Sequence, residues 1–478
     1  MPRQPPSIAN PQLIVAIDFG STGTAVSWAL TSKPRQVHSI KTWPRVQGPP
    51  QASKVPQAMA RINNGIWGFD AVDAITNSVN GPETASQYFE NFFKDPMSNP
   101  EKAKTCLSRY LNYLYDHIRD TIQPQFDGVW DSAYIWSVFN EPSGWEEEVI
   151  DYFEGAVSET NFRLEDLREI KFRRTNPSLL AMARVYGENR RLKTPWRAFA
   201  NKTRWLGTKS AVLVDNEIRW LDTDQQILVA EIGGGTFDIA LFAVNREGWR
   251  RRRIIRHRTI PTTTLTAIID EQVRRNLVEY IQQEFSHLSR LDKENCAQAE
   301  ASRLIVMKEY IAQKNDFNGV NDPALQLEIK DPNGQTVTRT PNLTELLEPA
   351  FSGLCDQVWR DIERHLRAVR QPGDDRPRTI VLTGGLSNNE FVQRRLQERA
   401  TNLSPSIHIF TPSEPELSVS KGLVWDTFDR IRGKRRFWNY PTATFLREGD
   451  VVDTNSWKKE VPLHIPREQD NNTDVRII

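Results

Sequence analysis

Two short stretches carry residue types that can hold a phosphate. Asp18-Phe-Gly-Ser-Thr22 and Glu231-Ile-Gly-Gly-Gly-Thr-Phe-Asp238 each open on an acid, run through glycine to a hydroxyl, and lie between two apolar, strand-like runs. Glycine permits positive φ and lets backbone N–H groups approach an anion, and Ser21, Thr22 and Thr236 add donors. Gly20 in the first turn and Gly233, Gly234 and Gly235 in the second are the candidate cradle. Asp18 and Glu231, with Asp238 at the far end of the second turn, are placed to hold a hydrated magnesium ion directly or through water. One such turn is an ordinary hairpin turn. Two, with acid, glycine and threonine in the same order, would clamp a polyphosphate from both sides. A third glycine element, Leu382-Thr-Gly-Gly-Leu-Ser387, follows an apolar run and precedes a helical one. There Gly384 and Gly385 either let the backbone pass close to a flat ligand such as a nucleoside or serve a purely structural left-handed turn.

The elements that must position these turns are legible as patterns. LIVAIDFGST with GTAVSWAL, and ILVAEIGGGTFDIALFAV, read as strand, turn, strand. A helix is expected from Lys102 to Ile122, where Leu107, Leu111, Leu114, Tyr115 and Ile118 recur at helical spacing, and a weaker one from Glu83 to Phe93. Ser132 to Phe139 and the EIKFRR segment from Glu169 read as strands, followed by a helix from Pro177 to about Tyr186. Further helices are expected at Thr264 to Phe285, Ala297 to Ala312 and Thr344 to Val369, with two short strands flanking the turn from Asp331 to Gly334. TIVLTGG then reads as strand and glycine turn, and NEFVQRRLQERA as helix.

Composition excludes several classes. Lys plus Arg is 62 against 61 Asp plus Glu, a net charge of +1, so no global field draws the chain to nucleic acid or an anionic membrane. Cys106, Cys296 and Cys355 are odd in number and far apart, which argues against a disulfide framework or a zinc site and for a reducing, cytoplasmic setting. No run reaches the roughly 18 apolar residues of a membrane span, and the Pro-rich first ten residues lack the apolar core of a signal peptide. Between Asn189 and Ser210, seven Lys and Arg residues surround Trp196 and Trp205. That stretch is either a polyanion-binding loop or a solvated insertion anchored by two tryptophans. The run from Arg250 to Arg253 reads as a solvated hairpin tip.

Taken in order, the three glycine elements resemble the ATPase domain of the heat shock protein 70 family, within the superfamily of actin and sugar kinases, and most nearly its divergent fungal and family-member-twelve-like branch. IDFGST is similar to that family's first phosphate loop, IGGGTFD to its second, LTGGLSNNEFV to its adenosine motif and PELSVSKGLV, Pro415 to Val424, to its second connecting helix. The resemblance covers about Leu13 to Arg430. It implies an α/β, two-lobed actin-like ATPase fold with duplicated ribonuclease-H-like subdomains. Residues 1–12 would be a flexible arm, 13–225 the first lobe with about 43–129 as its insertion, 226–430 the second lobe with about 263–344 as its insertion, and 431–478 a short extension. It further implies ATP or ADP with Mg2+ between the lobes, Gly384, Gly385, Ser387, Asn388 and Lys314 near the nucleoside, and protein partners that read the lobe angle. SKVPQAM and NGIWGFDA look like the family's valine-proline and tryptophan-glycine strand region. FFKDP is similar to the segment that supplies the catalytic lysine, which makes Lys94 the candidate to reach the γ-phosphate.

Several positions depart from that pattern. Glu231 replaces the aspartate that opens the second turn, and its extra methylene displaces whatever it holds, a shift that can cost ~10²-fold where positioning does the catalysis. Asn176, before Pro177, stands where the family has a glutamate that helps order metal and water. TIPTTTLTA, Thr259 to Ala267, lacks the glycines expected after the second hairpin. Ile311 and Asn315 flank Lys314 where polar and basic residues are usual, and SVFNEPSGW keeps the valine-proline strand motif only imperfectly. These departures imply slow or absent hydrolysis. Two alternatives stay open, a degenerate pseudo-ATPase acting as an interaction scaffold and a sugar kinase of the same superfamily. The stretch after Gly422 is expected to be too short for a client-binding sandwich, with strands in TATFLREGDVV and WKKEVPLHI and a frayed end at EQDNNTDVRII.

Overall fold

Leu13–Phe19 (β1) and Thr24–Leu30 (β2) are buried along almost their whole length, as strands covered on both faces must be. They pair antiparallel with Asp18 opposite Ala25. His38–Ser39 (β3) adds to β2, and Ile135–Asn140 (β4) and Arg168–Arg173 (β5) extend the sheet in parallel beyond β1, giving the order β3-β2-β1-β4-β5. In this computed structural model the described residues are 10–20, 23–34, 36–44, 52–59, 66–76, 100–126, 128–141, 145, 147–163, 167–173, 177–178, 180–181, 183–185, 209–214, 217–222, 226–234, 236–244, 252–261, 265–284, 289–304, 308–320, 327–330, 336–368, 377, 379–403, 407–432, 445–446 and 476–477.

Gly68–Thr76 (α1), Pro100–Ile122 (α2) and Glu147–Ser158 (α3) belong to this first half. α2 buries Leu107, Tyr110, Leu111, Leu114 and Ile118 at the three- and four-residue spacing of one helical face, in a single apolar cluster with β1, β2 and β4. The region expected as an insertion at 43–129 thus shares its core with the first sheet. The expected helix from Glu83 to Phe93 and the basic stretch as far as residue 208 lie outside the described residues. Lys209–Val214 (β6) and Glu217–Asp222 (β7) then form a hairpin that sequence reading missed.

Gln226–Ile232 (β8), Thr236–Val244 (β9) and Arg252–Pro261 (β10) form an antiparallel meander. Arg252 and Arg253 therefore belong to a strand paired with β9 and not to a hairpin tip, because the apolar alternation that would announce β10 is masked by its arginines. Leu265–Glu284 (α4), Arg290–Leu304 (α5) and Lys308–Asp316 (α6) follow, then the hairpin of Leu327–Lys330 (β11) and Thr336–Arg339 (β12), and Leu343–Ala368 (α7). Helix starts earlier than Ala297 because the charged turn at Arg290 needs no apolar face. Thr379–Thr383 (β13) and His408–Phe410 (β14) complete the second sheet in parallel with β8, in the order β10-β9-β8-β13-β14. The two sheets are thus built alike: an antiparallel meander of three strands whose first strand is continued by two parallel ones. α4, α7 and Glu390–Thr401 (α8) share one apolar cluster with the second sheet.

Ser418–Ile431 (α9), placed by its chain position in the second lobe, packs on the first sheet instead. Val419, Leu423, Val424 and Phe428 meet Ile14, Ala16, Ala29, Val138 and Leu180 in one cluster, since those apolar side chains would otherwise face water. Residues 177–178, 180–181 and 183–185 are helical and cross α9 so closely that a Cβ on Gly422 would lie 1.9 Å from the Leu180 carbonyl oxygen. Buried Arg184 donates to the Glu414 carbonyl at 2.8 Å, to Ser418 Oγ at 2.9 Å and to the Ser413 carbonyl. Phe445–Leu446 (β15) pairs with Arg476–Ile477 (β16), so of the end expected to fray these two residues are tied back by backbone pairing, and the rest of EQDNNTDVRII lies outside the described residues. No helix among the described residues is long and apolar enough to cross a membrane.

Candidate functional site

The ends of β1, β8 and β13 carry the residues singled out by their chemistry. Antiparallel pairing sets Asp238 opposite Glu231, and parallel pairing sets Thr383 beside Glu231, so the glycine turn after β13 lies against the second hairpin turn. Gly384 adopts φ +91, and a Cβ there would stand 2.4 Å from the Ile232 carbonyl oxygen and 2.7 Å from Glu231 Oε1. Only glycine meets both the positive φ and the close approach. Gly233 closes the hairpin turn by donating its N–H to the Thr236 carbonyl at 3.0 Å, and its own missing Cβ would lie 3.4 Å from Glu231 Oε2. The Glu231 carboxyl therefore sits between Gly233 and Gly384. Ser178 Oγ donates to the Asp238 carbonyl at 3.1 Å, which ties the crossing helical segment to this turn.

Across from this turn, Lys54 Nζ donates to Asp18 Oδ2 at 3.0 Å and lies 3.7 Å from where a Cβ on Gly20 would be. Its backbone is held in place: Val55 and Thr24 exchange two backbone hydrogen bonds of 2.8 and 3.0 Å, and Ser53 Oγ donates to Glu416 Oε1 at 2.5 Å. Thr24 Oγ1 in turn accepts from Tyr110 at 2.9 Å and from Gln57 at 3.1 Å, so α2 props up the first turn from behind.

The charges of the two halves meet here. Burial works to lower the Lys54 ammonium, but Asp18, Glu231 and Glu416 outweigh it and hold the group above its ordinary range, so Lys54 keeps its charge. Burial, then the neighbouring charges of Asp238 and Asp18, push the Glu231 carboxyl well above the usual carboxylate range, against the opposing pull of Lys54. Asp18, Lys54, Glu231, Asp238 and Gly384 thus belong to one electrostatically coupled site drawn from both sheets.

The other candidates are spread differently. Gly234 and Thr236 lie in the second turn, and Gly385 and Asn388 are exposed ahead of α8. Ser387 is buried and gives its hydroxyl to the Thr383 carbonyl at 2.5 Å, an internal bond that shapes the turn. Lys314 is committed to Asp270, with Nζ at 2.7 and 2.9 Å from the two carboxylate oxygens and 5.4 Å from the Tyr310 ring centre. The residues after α6 abut the third glycine element, since Asn389 donates to the Phe317 carbonyl at 2.9 Å and Arg394 to that of Asn318 at 2.7 Å. Ser21, Thr22, Lys94, Asn176 and Gly235 lie outside the described residues. Lys54 and Glu416 were not singled out as site residues from sequence. Their one signal was membership of SKVPQAM and PELSVSKGLV, where nothing marks them as neighbours.

Among the described residues no three His, Cys, Asp or Glu side chains converge closely enough to grip one ion directly. Direct chelation by Asp18, Glu231 and Asp238 together is therefore not what these side chains offer. No family model matches the chain, and no curated protein sequence matches it.

Proposed function

We propose that this protein is a heat shock protein 70-like, actin-like ATPase-fold protein that binds ATP or ADP with magnesium between its two sheets and hydrolyses it slowly or not at all. The observation that carries this reading is the repeated strand order, which sets two glycine turns, each opened by an acid, in equivalent positions, with Lys54 bound to the acid of the first. Backbone N–H groups of the two turns would take the phosphate oxygens, and Gly384 and Gly385 would let the nucleoside lie against the backbone. Magnesium, held through its waters by Asp18, Glu231 and Asp238, would supply charge neutralisation at the phosphates. Burial and the neighbouring acids raise the Glu231 carboxyl, and a cation arriving beside it would work in the opposite direction. Its output would be a lobe angle read by protein partners.

Calorimetric titration with ATP and ADP plus magnesium, followed by phosphate release over hours, tests the proposal. Binding at micromolar to low millimolar nucleotide, lost in a Gly234→Trp variant, is expected. No binding at millimolar nucleotide refutes it, and unchanged binding in the variant places the site elsewhere. One observation favours the scaffold alternative: Asp18 already has a cation partner in Lys54, which neutralises an acid that metal would use. Binding without any phosphate release would support that alternative. Sugar-dependent ADP production would indicate the kinase.

A further inference from the structure

We propose that Lys54 is the side chain that binds the terminal phosphates of the nucleotide, an inference that rests on the reading of the cleft given above. The position of its ammonium is the first argument. Nζ stands beside the first glycine turn, 3.0 Å from Asp18 Oδ2 and 3.7 Å from where a Cβ on Gly20 would be. The lysine side chain is still 25% exposed, so an anion can reach it.

Charge is the second argument. A triphosphate entering between Asp18, Glu231 and Asp238 meets acids from both turns, and a cation fixed among them converts a repulsive cleft into one that accepts a polyanion. Lys54 Nζ is bound to the acid of the first turn, and its neighbour Ser53 to Glu416 ahead of α9, so the ammonium is held where elements of both halves meet. A lysine ammonium in this place offers three donors to phosphate oxygens.

Preorganisation is the third. Lys54 lies between two anchored neighbours: Val55 is paired to Thr24 by two backbone bonds and Ser53 is bound to Glu416. Little freedom remains to be lost when the ammonium turns from Asp18 to a phosphate. The exchange is balanced in charge, because Asp18 released from Lys54 becomes available to the waters of a magnesium ion. Lys54 is thus a phosphate-binding residue whose resting partner is Asp18.

A purely structural latch between Lys54 and Asp18 would weaken every ligand alike, and the test is built on that contrast. Affinity for magnesium ATP is measured by calorimetry in the wild-type chain and in the Lys54→Met and Lys54→Gln variants, and AMP affinity by competition against ATP in the same proteins. A melting transition verifies that each is folded. Two variants are used so that the folded one carries the test if the other does not fold. Removal of a charge-assisted contact is expected to weaken ATP at least about tenfold, with AMP changed less than about threefold. ATP affinity within about twofold of wild type in a folded variant overturns the proposal, as does an equal loss for ATP and AMP. A wild-type chain that binds no ATP refutes the nucleotide reading itself, a different result from either of these.

Discussion

Replacing Gly422 by alanine tests how the two halves are joined. Gly422 lies inside α9, and its missing Cβ would stand 1.9 Å from the Leu180 carbonyl oxygen, 2.4 Å from the carbonyl carbon and 3.0 Å from its Cα. Carbon and oxygen normally approach to about 3.3 Å, so α9 must retreat by more than about 1 Å, and backbone atoms have no rotamer by which to step aside. The retreat strains the Ser27 to Ser420 bond of 2.8 Å and the Arg184 to Ser418 bond of 2.9 Å. Overpacking costs about 1–3 kcal/mol, and the loss of buried hydrogen bonds places this site at or above about 3 kcal/mol. Gly353 is the control. It also lies inside a helix, α7, but a Cβ there meets nothing within 4 Å, so Gly353→Ala should gain about 0.5–1 kcal/mol from helix propensity alone. At about 1 °C per kcal/mol for a chain of 478 residues, the first variant should melt about 3 °C or more below wild type and the second about 0.5–1 °C above it. Melting followed by tryptophan fluorescence or calorimetry reads both. A Gly422→Ala transition within about 1 °C of wild type would refute the close crossing.

Two further predictions concern pH. The Glu231 carboxyl is raised in the folded protein by burial and by Asp238 and Asp18, so the stability it confers is complete below its ordinary value of 4.5 and is lost as pH climbs through its folded value. Glu231→Gln, which copies the protonated acid, should match wild type near pH 4 and become progressively the more stable of the two toward pH 9. A difference that does not vary with pH in a series of melts would contradict this. Glu414 behaves oppositely. Burial works to raise it, but hydrogen bonds from Lys41 and Lys421 hold its carboxyl at about 2, while its backbone is fixed at φ 52. Its contribution is present above 4.5 and disappears as pH falls toward 2. Glu414→Gln should cost on the order of 1–2 kcal/mol at pH 7 after screening of the partly exposed lysines, and nothing near pH 2. A deficit that persists unchanged into acid would count against the ion pairs.

The elements legible in the sequence are those whose burial is written into periodicity. β1, β2, β8 and β9 are apolar runs around glycine, and α2 shows its buried face in the spacing from Leu107 to Ile118. β10 was illegible because its arginines conceal its pairing with β9, and the β6–β7 hairpin because the apolar run from Ala211 to Val214 is only four residues long and follows directly on a basic stretch. The acids and glycines of the site were visible as motifs. Lys54 was not, since its role depends on Asp18, Glu231 and Glu416, which lie 36, 177 and 362 residues away in the chain. Local pattern records what a residue is, and only the folded register records what it faces.

That distinction bears on the departure at Glu231. The two acids open equivalent turns in two sheets of the same design, yet their surroundings differ in kind. Asp18 has an ammonium at 3.0 Å, whereas Glu231 has the backbone of two glycine turns on either side and a second acid opposite. Its carboxyl is confined between those turns, Oε1 lying 2.7 Å from the space a Cβ on Gly384 would occupy and Oε2 3.4 Å from the corresponding space on Gly233. The slow or absent hydrolysis that we propose is in keeping with that confinement: a buried carboxyl wedged between two glycine turns is poorly placed to order an attacking water, while the glycine turns that would bind the nucleotide stay intact.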